Sequence, residues 1–149
     1  MSNVLHILID QAKEKADEMV KAMGYTQQKL QQGQDKLGML QSYCNDCQTN
    51  MHNRATGGIT GDQLRNQLAF VAKIEQALTQ QNKEIEFLNT TLTHQRGQWQ
   101  LALGEQRKYE ALLERERIKQ QHLDNKRDQK MNDEFAARIY RVNTAGEQA

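Results

Sequence analysis

The stretch NRATGGITG, residues 53–61, lies between two long segments with helical patterning, and it decides the fold. Gly57, Gly58 and Gly61 supply the backbone freedom that turns need and that helices resist. The chain contains no proline, so this glycine cluster is its main interruption. We therefore predict a hairpin bend at about residues 53–61.

On the N-terminal side of the bend, apolar residues recur in alternating steps of three and four. Of thirteen such positions, eleven are apolar, which is about twice the number that a chain with 37% hydrophobic residues would place there by chance. A sustained spacing of 3.5 residues is typical of coiled coils. We predict a first helix over about residues 3–52. Its seam comprises Ile9, Ala12, Ala16, Met19, Met23, Thr26, Leu30, Gly33, Leu37, Leu40, Cys44, Cys47 and Met51.

A second seam follows the bend. Thr60 and Gln63 have the spacing of a capping box, and Asp62 adds favourable negative charge to the first turn, so helix 2 is predicted to begin at about residue 62. Eleven of fifteen seam positions are apolar. They are Leu64, Gln67, Val71, Ile74, Leu78, Gln81, Ile85, Leu88, Leu92, Gln95, Trp99, Ala102, Gln106, Tyr109 and Leu113. If Met51 faces Leu64, residue i lies opposite roughly residue 115 minus i in antiparallel pairing.

The second seam ends well before its helix does. The same steps continued through residues 116–134 meet one apolar residue in six, although the sequence remains compatible with a helix to about residue 143. Lys130, Glu134 and Arg138 even stand at the four-residue steps that support helices through ion pairs. The predicted fold is all-α: a single unit over residues 1–149, formed by a long antiparallel two-helix coiled-coil hairpin. A C-terminal overhang begins after Leu113, and a disordered tail is predicted at 144–149.

Two surfaces are candidates for binding. Apolar residues on the hairpin seam and on its immediate flank are predicted to lie level with one another: Leu40, Tyr43, Cys47, Phe70, Ile74 and Ala77. One partner helix cannot cover both aromatic rings of this set, so they indicate either a protein-binding patch or an extended hairpin packing. The second surface is a stripe on the overhang, formed by Leu123, Met131, Phe135, Ile139 and Val142. An isolated helix of this length either frays or docks, and we favour docking into another protein.

No sequence feature indicates chemistry. Cys44 and Cys47 form the one CxxC spacing, which is compatible with zinc or redox function, but both are seam positions and we interpret them as small apolar residues. The glycine cluster lacks the lysine of a phosphate loop. A net charge of +1 with interspersed signs disfavours nucleic acid. The longest apolar stretch, residues 4–9, is too short to span a bilayer, and the sequence predicts no secretory signal. We predict a cytoplasmic, non-enzymatic protein without cofactor or metal.

One run identifies a family resemblance. DQKMNDEFAAR, residues 128–138, closely resembles the C-terminal signature of the FliJ family, small coiled-coil proteins of the bacterial flagellar type III export apparatus. Further similar positions occur in the same order along nearly the whole chain. These are Gln31 and Gln32, KLGML at 36–40, Tyr43, Gly58 and Ile59, Phe70, and KIEQALTQ at 73–80.

The resemblance implies a stalk that inserts into the ring of the hexameric export ATPase and carries no chemistry itself. The implied ring-binding residues are Asp128, Gln129, Lys130, Met131, Asp133, Glu134, Phe135 and Arg138. The implied binding residues for the cytoplasmic domain of the export-gate membrane protein are Leu40, Tyr43, Phe70, Ile74 and Ala77. Cys47 and Gln81 depart from the family pattern, in which a tyrosine and a histidine are expected.

The resemblance further implies that the chain handles export chaperones of late filament components and associates peripherally with the inner-membrane export apparatus. Two other interpretations remain. The chain is a soluble chaperone or scaffold that binds export substrates or their chaperones without entering the ATPase, or it is the equivalent stalk of an injectisome.

Overall fold

The computed structural model describes residues 2–147, and two α-helices account for almost all of them. Helix α1 runs over Ser2–Gly57 and helix α2 over Gly61–Glu147, and the described residues form no strand. The two helices pack against each other through their seams. The predicted all-α fold, a helical hairpin, is therefore confirmed.

The bend consists of residues 58–60. Gly58 has a φ of +81°, in the left-handed region that glycine adopts without steric cost. On the far side of the bend, the Gln63 amide donates to Thr60 Oγ1 at 3.3 Å and the Thr60 amide donates to Gln63 Oε1 at 3.4 Å. This reciprocal pair is the predicted capping box, and it satisfies two amides that the start of α2 leaves without helical partners.

Both helices are longer than the sequence predicted. Helix α1 continues from the predicted end at 52 to Gly57, because a single left-handed residue is sufficient to end it and residues 53–57 keep helical geometry. Helix α2 continues from 143 to Glu147, and the Thr144 hydroxyl donates to the carbonyl of Tyr140 at 2.9 Å in this added turn. Residues 144–147 of the predicted disordered tail are thus helical, and Gln148 and Ala149 lie outside the described residues.

The described residues divide into two compact units, which we call the hairpin unit (residues 15–101) and the terminal unit (residues 2–14 with 102–147). In the hairpin unit the core is the pair of predicted seams. Every seam position between residues 15 and 101 is buried or half-buried except Leu64. The buried seam positions are Ala16, Thr26, Gly33, Cys44, Val71, Ile74, Gln81, Leu88 and Leu92.

A polar contact crosses the middle of the hairpin unit. The side-chain amide of Gln81 is buried and donates to the Gly33 carbonyl at 3.0 Å. A Cβ atom at Gly33 would stand 3.2 Å from Gln81 Nε2 and 3.5 Å from Ile85 Cγ1, so the absence of a side chain there makes room for the amide. The contact agrees with the predicted register, which places residue 82 opposite Gly33. A buried amide without a hydrogen-bond partner costs free energy, so the hydrogen bond from Gln81 to Gly33 favours this register over a shifted one.

In the terminal unit the buried residues end early. Ile9, Ala12 and Ala102 are buried, and Tyr109 and Leu113 are half-buried. Beyond Glu116, every residue through Glu147 is exposed except the half-buried Thr144. We call residues 117–147 the tip helix.

Candidate protein-binding surfaces

The tip helix exposes large apolar side chains that the seams elsewhere cover. Met131 and Phe135 are 62% and 65% exposed. Leu123, Ile139 and Val142 are likewise exposed, as the predicted stripe requires. We define the tip stripe as Met131, Phe135, Ile139 and Val142, whose steps of four, four and three residues confine them to an arc of about 80° on a helix with 3.6 residues per turn. Large apolar side chains grouped in this way mark interaction sites.

The residues that the family resemblance implies for ring binding lie on several faces of the tip helix. All eight, from Asp128 to Arg138, are exposed. Met131 and Phe135 lie on the face of the tip stripe, whereas Gln129 and Asp133 lie on roughly the opposite face. These residues therefore form a collar around one helix, which suits a binding partner that contacts the helix from several sides.

The charged side chains of the tip helix do not pair with one another. Lys130, Glu134 and Arg138 have the four-residue spacing of an ion-pair ladder, but the structure does not form it. Among residues 2–147 the ion pairs within 4.0 Å are Arg65–Asp62 and Arg117–Glu114. Exposed side chains gain little from such pairing and lose rotamer freedom by it. Lys130, Glu134 and Arg138 are consequently available to a binding partner.

The tip helix starts beside an open groove of about 1020 Å³ in the terminal unit. Ser2 and His6 of α1 line it, together with ten residues of α2 between Glu110 and Asp124, including Leu113 and Leu123. At its rim Arg117 donates three hydrogen bonds to the Glu114 carboxylate, the shortest at 2.8 Å. These bonds lower the pKa of Glu114 and raise the pKa of Arg117. The groove also carries Glu110, Glu116, Lys119 and Asp124, so it offers a partner charged as well as apolar side chains.

The second candidate surface lies in the hairpin unit, and we call Leu40, Tyr43, Phe70, Ile74 and Ala77 the flank patch. Tyr43 of α1 and Phe70 of α2 are 59% and 53% exposed, so the hairpin does not bury its two aromatic rings. Leu40 and Ala77 are half-buried. Ile74 is only 8% exposed, so it supports the patch from the core and offers little surface of its own.

The two positions that depart from the family pattern differ in placement. Cys47 is half-buried and lines a shallow groove of about 260 Å³ with Phe70, Arg54 and other residues of both helices. It therefore borders the flank patch. Gln81 is buried, and its amide donates to the Gly33 carbonyl. A change at Cys47 alters surface that a partner can touch, whereas a change at Gln81 alters the seam.

Sequence reasoning missed one exposed aromatic residue of the tip helix. Tyr140 is 70% exposed and stands seven residues after Asp133, which places it on the face opposite the tip stripe. Tyr140 falls outside the apolar periodicity that predicts the stripe, because it lies on the other side of the helix. The tip helix thus presents large side chains on two faces.

Residues that could hold a metal ion are not grouped in the described part of the chain. No three His, Cys, Asp or Glu side chains within residues 2–147 are grouped so that they would hold a metal ion. Cys44 and Cys47 are free thiols on successive turns of α1, one buried and one half-buried, as expected for seam positions. Neither described helix has a stretch long and apolar enough to cross a membrane.

Comparison with known proteins gives one family. The model of the flagellar FliJ protein family matches residues 1–145. The flagellar FliJ protein of Escherichia coli (strain K12) is 26% identical over 134 residues, which cover 90% of this chain and 91% of that protein. The flagellar FliJ protein of Salmonella typhi is 25% identical with the same coverage. No solved structure matches. With a family match that extends from the first residue to the tip helix, the chain belongs to the flagellar FliJ protein family.

Proposed function

We propose that this chain is the central stalk of the flagellar type III export apparatus, a non-enzymatic protein whose tip helix inserts into the ring of the hexameric export ATPase. Membership of the FliJ family makes it a component of flagellar protein export. The finer assignment, to the stalk, is drawn from the exposed surfaces of the chain.

The observation that carries the proposal is the exposure of the tip helix. About thirty consecutive helical residues lie outside the seams, and they carry an apolar stripe on one face and Tyr140 on the other. Packing usually supplies most of the stability of a helix, so a helix of this kind gains from a partner that surrounds it. A ring provides such surroundings, whereas a flat surface or a single groove would cover only one face.

The flank patch is the proposed contact for the cytoplasmic domain of the export-gate membrane protein. Tyr43 and Phe70 are aromatic, exposed and supported by the buried Ile74, which are the properties of binding hot spots. Cys47 at its border replaces the tyrosine of the family pattern and reduces the aromatic area there. Export chaperones of late filament components are further proposed partners.

A second candidate is a scaffold that binds export substrates or their chaperones without entering the ATPase. The open groove that Leu113 and Leu123 line favours it, since a single partner helix would fit along such a groove. An injectisome stalk would use the same tip helix with a different ATPase. The family match favours the flagellar apparatus over the injectisome.

The test compares binding of the full chain and of a double variant, Met131→Ala with Phe135→Ala, to the purified export ATPase. The matched control is Phe87→Ala with Leu101→Ala, because these two side chains are as exposed as the first pair but lie in the hairpin unit. Truncating two exposed anchors of an interface typically costs about 1–2 kcal/mol or more for each, so we expect binding to weaken by at least about tenfold. ATPase stimulation should fall in parallel.

The control variant is expected to bind and to stimulate like the unchanged chain. Circular dichroism of both variants checks that the helices persist. Equal loss in the two variants, or undiminished binding by the tip variant, would remove the tip helix as the docking element. Retained binding to late-substrate chaperones in that case would favour the scaffold.

A further inference from the structure

We infer that the tip helix pairs with the tip helix of a second copy of this chain, antiparallel, through the same tip stripe that the proposed function assigns to the ATPase ring. The pairing itself is argued from the tip helix alone. Its consequence, that free chains mask their docking surface until a ring displaces the second copy, rests on the proposed function.

The tip stripe is self-complementary in the antiparallel direction. A two-fold axis near Ala137 places Phe135 of one copy level with Ile139 of the other, because both lie two residues from the axis. The same axis places Met131 close to Val142 of the second copy. Four exposed apolar side chains on each chain thus face four on its neighbour.

Charge decides the direction of pairing. Glu134, Arg138 and Arg141 follow one edge of the tip stripe at 3.6 residues per turn. Antiparallel pairing brings like edges together, so Glu134 of one copy lies between Arg138 and Arg141 of the other, and the contact is repeated by symmetry. The opposite edge carries Asn132 and Asn143, which are uncharged. Parallel pairing would set the charged edge against this neutral one and would form no ion pair.

The charges on this edge are available to a second copy. Glu134, Arg138 and Arg141 form no ion pair within residues 2–147, and all three are exposed. Glu134 lies three residues before Ala137 and Arg141 four residues after it, so these opposite charges stand nearly level across the pair. Arg138 lies one residue from the axis, close to Arg138 of the other copy. A sequence of random charges would place like signs at such positions as often as opposite ones.

The size of the contact sets its strength. Residues 131–142 span about 18 Å of helix, so the area buried by two copies falls below the roughly 1,200 Å² of stable interfaces. The pairing is therefore transient and depends on concentration. Such weakness suits a surface that has to be released to a stronger partner.

The test is sedimentation equilibrium of the full chain, without any ATPase, from micromolar to millimolar concentration. We compare the unchanged chain, Glu134→Arg, and a double variant, Arg138→Glu with Arg141→Glu. Each variant places like charges against each other in its own pair, and we expect each to raise the dissociation constant by at least about tenfold. An equimolar mixture of the two variants restores opposite charges on both sides of the axis, and it should associate as tightly as the unchanged chain.

Lys119→Glu is the control, because it reverses one exposed charge of the tip helix outside the paired segment. It should associate as the unchanged chain does. All substitutions are at exposed positions, and circular dichroism verifies that each variant is helical. A chain that stays monomeric at every concentration would overturn the inference. So would association that the variants leave unchanged, or a mixture of folded variants that fails to recover it.

These outcomes are independent of the stalk assignment. A monomeric chain whose tip helix still binds the ATPase would end the inference and leave the proposed function standing. Recovery in the mixture, combined with no binding to the ATPase, would establish the pairing and end the proposed function.

Discussion

The hairpin unit and the tip helix have similar apolar residues and opposite surroundings. Leu92 in the hairpin unit is 6% exposed, whereas Leu123 in the tip helix is 48% exposed. Both stand in the same continuous helix α2. In the hairpin unit the seam of one helix is covered by the seam of the other. The tip helix has no such cover, because the apolar spacing of 3.5 residues ends near Leu113. The difference shows that local sequence sustains helical patterning in both regions, while burial depends on what the opposite helix provides.

The largest expected effect comes from replacing a leucine by alanine in each of the two regions. Leu92→Ala removes a buried side chain from the seam and should lower the free energy of unfolding by about 2–5 kcal/mol, through lost burial and the cavity left behind. Leu123→Ala removes an exposed one and should change it by less than about 0.5 kcal/mol. Urea unfolding followed by circular dichroism measures both.

A loss of equal size in the two variants would contradict the comparison, since it would mean that the tip helix is buried in the free chain. Association between copies is one way for that to occur, so the measurement belongs at low micromolar concentration. A dependence of the Leu123→Ala result on concentration would then report the pairing of tip helices.

A smaller effect is expected from glycines within α1. At Gly38 nothing lies within 4 Å of an added Cβ, so Gly38→Ala should stabilise the helix by about 0.5–1 kcal/mol. At Gly33 the added Cβ would stand 3.2 Å from Gln81 Nε2 and displace an amide that donates to the Gly33 carbonyl. Gly33→Ala should therefore be less stable than Gly38→Ala by about 1 kcal/mol, the net worth of a buried hydrogen bond.

Thermal and urea unfolding of the two variants, side by side, check this difference. If both alanines stabilise equally, the Gln81 amide does not hold the register of the hairpin. Adding Gln81→Leu to each variant sharpens the result, because the penalty at Gly33 should change with the residue opposite it while the gain at Gly38 should not.

These contrasts also show how far sequence reasoning extends. The seam was predictable because a spacing of 3.5 is a local property, and within residues 15–101 only Leu64 of the predicted positions is exposed. The capping box of Thr60 and Gln63 was likewise local. The partners of seam glutamines were not, because they depend on the residue across the hairpin. Gln81 meets the Gly33 carbonyl, while the buried side-chain oxygens of Gln67 and Gln95 find no hydrogen-bond partner in the described chain.

The candidate surfaces were predictable to a similar depth. The sequence indicated an unpaired apolar stripe, and Met131 and Phe135 are exposed as that requires. Within the flank patch the seam spacing placed Ile74 on the seam and Tyr43 beside it, and Ile74 is buried whereas Tyr43 is exposed. The spacing did not show whether the hairpin would cover the aromatic rings, because that depends on the side-chain directions of two packed helices. The partner that binds either surface could not be predicted from this sequence, because its identity depends on the surface of another protein.

The smallest expected effect concerns the ion pair at the start of the tip helix. Hydrogen bonds from Arg117 lower the pKa of Glu114, so the pair favours the folded state at a pH above the unfolded pKa of that carboxyl, and its contribution is lost as the pH falls through the lowered folded value. Both side chains are more than half exposed, at 56% and 59%, and solvent screens the interaction.

Glu114→Gln should therefore leave the thermal midpoint at neutral pH without measurable change, whereas an NMR titration should show the Glu114 pKa rising toward its ordinary value in Arg117→Gln. A clear loss of stability in Glu114→Gln would mean that this carboxylate is buried by a neighbouring surface. That result would move the boundary between the paired region and the tip helix past Arg117.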